Sequence, residues 1–199
     1  MKKLSTYLFL LFFGFQTLSW ADNIRDFQIE GMSVGDSLLD YFSEEEIIKN
    51  KQEDQYPASD KYIIITINSH ESFQLYEMVQ IDYMKNDKKF IIESLAGSLL
   101  YYKNNIEDCY KKQKEIEKEF SEMFLTAKKQ SATLKKSFDK SGKSTSTVIE
   151  YILASKNKVQ ISCDDWSEEI TRKNNFPDIL MVSLMSKKYA NFLLNEAYP

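Results

Sequence analysis

Residues 62–68 read YIIITIN, and residues 74–84 read QLYEMVQIDYM. In the first stretch Ile63, Ile65 and Ile67 lie on one side of an extended chain, and the second stretch repeats an apolar residue at nearly every second position. This spacing is typical of strands with one buried face, and the polar residues between the two stretches predict a turn. The sequence therefore predicts an antiparallel sheet that begins with these two strands.

Both strand and helix spacing recur further along the chain. Alternation predicts strands at residues 89–102, 147–154 and 158–164. Residues 106–127 instead carry apolar side chains in steps of three and four, which predicts an amphipathic helix. Such a helix packs on the sheet of its own chain or pairs with a partner helix in a coiled coil. The stripe covers only about three heptads and contains Gln113, which favours packing on the sheet.

The regions that flank the sheet predict short helices. Asp36 or Ser37 can cap a helix within residues 31–50. Near the C-terminus, the sequence is compatible with a last strand followed by a helix capped by Ser186, or with one helix from Asp178. We therefore expect an α+β fold: a mainly antiparallel sheet of five to six strands, a long amphipathic helix packed on one face, and short helices at both ends.

The N-terminal residues have the pattern of a secretory leader. A short basic start is followed by the apolar run LFLLFFGF at residues 8–15, and Ser19 and Ala21 supply small side chains at the spacing that signal peptidase requires. The apolar run is shorter than the roughly 20 residues that a membrane span needs. Residues 1–21 are therefore predicted to be a signal peptide. The mature protein is expected to be periplasmic or secreted and not membrane-spanning.

Composition limits the class of protein. The chain has 199 residues, is 43% hydrophobic and 28% charged, and has a formal net charge of -4. These values exclude a collagen-like, polytopic or disordered chain, and the acidic balance disfavours nucleic acid as a partner because it repels phosphate. Residues 22–199 are expected to form a single globular domain. Its Lys- and Ser-rich segment, residues 131–146, is interpreted as mobile, although a basic cluster can also bind anions.

The two cysteines are expected to form a disulfide. Cys109 lies on the apolar stripe of the predicted helix, and Cys163 lies on the apolar side of a predicted strand. Both side chains should therefore point into the layer between helix and sheet. Two cysteines in an exported protein occupy an oxidising compartment, which favours pairing. Two buried free thiols are the alternative.

The sequence contains little that could perform catalysis. His70 is the only histidine and falls in a predicted turn, so neither a catalytic triad nor a typical zinc site can be assembled. Asp164 and Asp165, beside Trp166, remain as a possible hydrolytic pair, although consecutive aspartates are common in turns. We therefore expect no catalytic residue, no metal, no cofactor and no enzymatic activity.

A binding surface is predicted on the second face of the sheet, which a helix on the first face leaves open to water. The residues assigned to it are Tyr62, Tyr76, Gln80 and Asp82. Tyrosine combines an apolar ring with a hydrogen-bonding tip, which suits recognition. Two interpretations of this face remain open. It is a plain solvated sheet face, or it is a shallow site, centred on Tyr76, for an extended peptide or a small amphipathic ligand.

One stretch resembles a known group of proteins. Residues 29–42 read IEGMSVGDSLLDYF, which is similar to the opening of small uncharacterised exported bacterial proteins. That group also places a cysteine at the start of the long helix, as Cys109 does, and ends near the sequence NEAY, which stands here at residues 195–198. The same opening distantly resembles small lipoproteins of the outer-membrane assembly machinery. Neither resemblance implies an activity or a functional residue.

These observations lead to one expected function and two alternatives. The chain is expected to be a non-enzymatic binding or interaction module of the cell envelope, with an unknown protein, peptide or small-molecule partner. A structural or stress-related secreted protein is the first alternative. A hydrolase that uses Asp164 and Asp165 is the second.

Overall fold

A computed structural model describes residues 23–52, 55–102 and 105–198, so the expected signal peptide lies outside the described residues. Within these ranges the chain forms one eight-stranded antiparallel sheet with four α-helices. The elements, in chain order, are α1 (Glu44–Lys49), β1 (Lys51–Gln52), β2 (Tyr62–Asn68), β3 (Met78–Met84), β4 (Ile92–Tyr101), α2 (Ile106–Met123), β5 (Lys128–Lys135), β6 (Thr145–Ile152), β7 (Lys158–Asp165), α3 (Glu168–Asn174), β8 (Asp178–Met185) and α4 (Lys187–Asn195).

The expectation of five to six strands is wrong, because the sheet has eight. The two strands that the sequence did not indicate are β1 and β5, and both lie at the edges of the sheet with every residue exposed. A strand with no buried face has no apolar residue at alternate positions. Its pairing depends on backbone hydrogen bonds, which leave no mark in the side-chain pattern.

The sheet consists of two meanders that meet in its middle. Its strand order is β1-β2-β3-β4-β8-β7-β6-β5, so the first four strands and the last four strands each form a consecutive antiparallel set. The sets join where β4 pairs with β8, from Ser94 opposite Met185 to Tyr101 opposite Asp178. Helix α2 connects the two meanders and packs on β7, β8 and β4. The arrangement places β1 and β5 at opposite edges.

The main hydrophobic core lies on the face of the sheet that α2 covers. Ile116 and Phe120 of α2 are buried there against residues such as Ile161 and Val182. The N-terminal segment, residues 24–42, covers the rest of this face with its own buried apolar residues. The long helix therefore packs on the sheet of its own chain, as the spacing of its apolar residues indicated.

The opposite face is partly covered by α4. Ser186 caps this helix by accepting a hydrogen bond from the Tyr189 N–H at 3.0 Å, so the C-terminal region is a strand followed by a helix. Tyr189 and Phe192 of α4 pack with Tyr62 and Ile64 of β2 in a second, smaller core. Helices therefore lie on both faces, and α4 covers part of the face that was expected to be open.

The region around residue 40 forms two short helical segments rather than one helix. A 3₁₀ helix spans Leu38–Asp40, and α1 starts after Ser43. The Ser43 hydroxyl accepts from the Glu46 N–H, and the Glu46 carboxylate accepts from the Ser43 N–H, which is a capping box. The capping box therefore satisfies two of the four N–H groups that have no intrahelical partner at the start of α1.

Candidate functional site

The residues assigned to the predicted binding face do not form an exposed surface. Tyr62, Tyr76 and Asp82 are buried, and Gln80 is half-buried. Tyr62, Gln80 and Asp82 do point to the same face of the sheet, where α4 covers Tyr62. The assignment is therefore corrected, because a helix occupies part of the face that the sequence left open.

Tyr76 lies in the main core, on the other side of the sheet from its assigned position. It precedes β3, because the carboxylate of Glu30 accepts hydrogen bonds from the N–H groups of Gln74, Leu75 and Tyr76 at 2.7–2.8 Å. A Cβ atom at Gly97 would stand 2.5 Å from the Tyr76 ring, so the glycine makes room for the ring. Tyr76 is a core residue and cannot centre a shallow binding site.

Asp82 is held in a buried hydrogen-bond network beneath α4. The Tyr56 hydroxyl donates to Asp82 Oδ1 at 2.6 Å and lies 2.5 Å from the Tyr189 hydroxyl. Burial raises the pKa of Asp82 to about 6, although the hydroxyl groups around it act in the opposite direction. Burial and the nearby Asp82 charge also raise the pKa values of Tyr56 and Tyr189. The network joins three distant parts of the chain and satisfies a carboxylate that would otherwise be costly to bury.

The predicted disulfide is confirmed. Cys109 of α2 and Cys163 of β7 are bonded, with their Cα atoms 6.0 Å apart, and both side chains are completely buried in the main core. This bond fastens the long helix to the sheet. It lies away from the surface, so it has a structural role.

The hydrolytic pair suggested by the sequence is not assembled. Asp164 accepts hydrogen bonds from the Ser146 hydroxyl at 2.5 Å and from Lys136 Nζ at 2.6 Å. Asp165 is the next residue of β7 and therefore points to the opposite face. Burial raises the pKa of Asp165. Two carboxylates on opposite faces of a sheet cannot act together on one substrate atom.

His70 lies in the loop between β2 and β3, as its predicted turn position implied. Its Nδ1 is 2.7 Å from the Ser72 hydroxyl, and its Nε2 is 3.8 Å from the Glu46 carboxylate. Its ring packs edge-on against Phe42. Within the described residues, no group of three or more His, Cys, Asp and Glu side chains is placed to hold a metal ion.

In the described part of the chain, β5 forms one edge of the sheet, and all eight of its residues are exposed. β6 pairs with β5 along its whole length. Just beyond the strand, the Lys136 N–H donates to the Ser144 carbonyl at 3.0 Å, toward β6. In an antiparallel pair, every second residue directs both backbone groups to the same side. The residues whose N–H and C=O groups point away from the sheet are therefore Lys129, Ser131, Thr133 and Lys135.

Lysines stand at both ends of this edge. Lys129 forms a salt bridge with Glu117 of α2 at 2.5 Å, and the hydrogen bond within it is the main reason that the pKa of Lys129 is raised. Lys136 forms a salt bridge with Asp164. Among the ion pairs of the described residues, none includes Lys128 or Lys135. Each end of the edge therefore keeps one lysine that forms no ion pair with an acid in the described part of the chain.

The turn after β5 is held by Asp139. Its carboxylate accepts hydrogen bonds at 2.7–2.9 Å from the Ser144 hydroxyl and from two backbone N–H groups of the turn, and these bonds lower its pKa. The turn presents Phe138, which is 59% exposed and whose ring centroid is 6.2 Å from that of Phe176. The Lys- and Ser-rich segment therefore contains most of a strand and a hydrogen-bonded turn, where a loop was expected.

Sequence reasoning missed the edge for a physical reason. The strand reads KKQSATLK and shows no apolar alternation, so its sequence does not distinguish it from the segment that is interpreted as mobile. Two weak signals were present. The segment contains β-branched Thr133 and no proline, and it directly precedes the strand that it pairs with.

Comparisons with known proteins add no functional information. The chain matches no family model, no curated protein and no solved structure. Within the described residues, no helix is both long enough and apolar enough to cross a bilayer.

Proposed function

We propose that the chain is an exported, non-enzymatic interaction module that binds an extended segment of a partner protein along β5. Two features support export: the leader-like pattern of residues 1–21 and the Cys109–Cys163 disulfide, a bond that persists in oxidising compartments. One observation carries the binding proposal. It is the eight-residue strand β5, in which every residue is exposed and whose outward backbone groups have no partner among the described residues.

The mechanism is the addition of a ninth strand to the sheet. The partner would form main-chain hydrogen bonds with the outward N–H and C=O groups of β5, and the side chains beside them would supply specificity. A hydrogen bond of this kind contributes about 0.5–1.5 kcal/mol net, so several of them in one row can hold a short segment. The opposite edge is less suitable, because within the described residues β1 spans only Lys51–Gln52.

The experiment uses a proline to block the edge without disturbing the fold. Ser131→Pro removes an N–H that points outward, so the pairing of β5 with β6 stays intact. Ser131→Ala is the matched control, because it alters the same side chain and keeps the N–H. We expect the wild type and Ser131→Ala to retain the same partner from an envelope extract, and Ser131→Pro to lose it.

Thermal unfolding establishes that the comparison is valid. Ser131→Pro should melt within a few degrees of Ser131→Ala, because the substituted N–H forms no hydrogen bond within the sheet. If Ser131→Pro folds and still retains the partner as well as Ser131→Ala does, binding does not use the β5 backbone, and the proposal is wrong.

A further inference from the structure

The side chains along β5 indicate what kind of segment this edge accepts, an inference that rests on the proposed function. We infer that the partner segment adds antiparallel to β5, the orientation of every strand pair in this sheet, and carries two acidic residues seven positions apart, with an apolar residue directly after the first of them. Three exposed side chains carry the inference. They are Lys128, Leu134 and Lys135.

The two uncompensated lysines set the positions of the acidic residues. Side chains directly opposite each other on neighbouring strands lie about 4.5–5.5 Å apart, close enough for an ion pair. Lys129 and Lys136 are already bonded to Glu117 and Asp164, so they offer less to a partner. Lys128 and Lys135 are seven residues apart, and the acids opposite them must have the same separation.

Leu134 sets the position of the apolar residue. Its side chain is 55% exposed and lies on the same face of the sheet as Lys128, since both positions are even-numbered. In an antiparallel partner, the residue opposite Leu134 directly follows the residue opposite Lys135. The partner pattern is therefore an acidic residue, an apolar residue, five residues of any type, and an acidic residue.

The same lysines disfavour pairing between two copies of this chain. In the two-fold arrangement centred on Ala132, the outward groups of both copies align, and Lys129 of each copy faces Lys135 of the other. Lys128 then faces Lys136 in the same way. Like charges directly opposite each other destabilise a strand pair, and lysines commonly protect edge strands from self-association. An acidic segment instead places a negative charge opposite each of Lys128 and Lys135, so these lysines attract the partner and gain no attraction from a second copy.

The test is an NMR titration of ¹⁵N-labelled protein, purified in the form that the cell produces after processing. The probe is the peptide EVTQSTTE, acetylated and amidated at its ends. The neutral control is QVTQSTTQ, and the reversed peptide ETTSQTVE has the pattern that would suit parallel addition. We expect EVTQSTTE to shift the amide signals of β5 selectively, and to bind about fivefold more tightly than QVTQSTTQ at low salt, because two cross-strand ion pairs are lost in the control. High salt should reduce this difference.

A charge-reversal variant tests the assignment to particular lysines. Lys128→Glu combined with Lys135→Glu should weaken the binding of EVTQSTTE by about tenfold, because attraction is replaced by repulsion at both positions. Lys140→Glu combined with Lys143→Glu is the matched control. It changes the net charge equally in the turn beyond β5 and should leave binding near the wild-type value.

The outcomes separate the inference from the proposed function. If QVTQSTTQ binds β5 as tightly as EVTQSTTE does, the acidic pattern is wrong and strand addition stands. Tighter binding of the reversed peptide would overturn the antiparallel orientation alone. If none of the peptides shifts the β5 signals, or if β5 pairs with a second copy of the chain, both the inference and the proposed function fail.

Discussion

Asp82 shows how a single buried carboxylate can make the stability of the fold depend on pH. The residue is 1% exposed and accepts a hydrogen bond from Tyr56, while burial raises its pKa to about 6. In an unfolded chain an aspartate has a pKa of about 3.9. Folding therefore favours the protonated form. The stabilisation is fully present below about pH 4 and is lost as the pH rises through the folded-state pKa near 6.

The substitution Asp82→Asn should remove this pH dependence. The amide cannot ionise, and its oxygen can still accept the hydrogen bond from Tyr56. Between pH 4 and pH 7, the free energy of unfolding of the variant should therefore rise relative to that of the wild type by about 2 kcal/mol. Urea unfolding of both proteins at several pH values measures the difference. A difference that stays constant with pH would show that folding does not raise the pKa of Asp82.

The hydrogen-bond network around Asp82 could not have been predicted from the sequence. Tyr56 is 26 residues from Asp82 and 133 residues from Tyr189, and no spacing rule connects positions so far apart. The sequence correctly placed Asp82 on the face opposite the main core, because alternation along β3 fixes that side. It could not show that α4 would fold over this face. Burial of Asp82 depends on that tertiary contact.

Individual elements were predictable where packing leaves a pattern. The alternation of β2 and the apolar stripe of α2 both reflect contact with the core, and both elements are present. The position of Tyr76 was not predictable, because the Glu30 carboxylate removes residues 74–76 from the strand that alternation suggested. Strand β5, and with it the candidate site, has no buried side to leave a pattern.

The disulfide that joins α2 to β7 should contribute strongly to the stability of the fold. Cys109 and Cys163 are 54 positions apart, so the disulfide closes a long loop in the unfolded chain. Replacing both with serine should lower the free energy of unfolding by about 2–4 kcal/mol. Reductant should lower the melting temperature of the wild type and leave that of the double variant unchanged. Equal melting temperatures for wild type and variant without reductant would mean that the bond constrains little in the unfolded state.

At the scale of the whole molecule, the two meanders are joined in a way that predicts a single cooperative unit. Leu95 of β4 lies directly opposite Leu184 of β8, and both are buried in the one main core that extends across this junction. Helix α2 contacts strands of both meanders and closes the same core. Neither meander can therefore unfold without exposing apolar surface of the other, which is the physical basis of cooperative unfolding.

Native-state hydrogen exchange tests this prediction strand by strand. Amides of β3 and β4, in the first meander, should exchange with the same free energy of opening as those of β7 and β8 in the second, and with the same dependence on urea. Outward amides of β5 should exchange much faster, since they have no hydrogen-bond partner in the sheet. Two distinct free energies for the two meanders would divide residues 22–199 into two units at the β4–β8 junction. Slow exchange of the outward β5 amides in the isolated protein would mean that another segment already covers this edge, which would remove the free strand on which the proposed function depends.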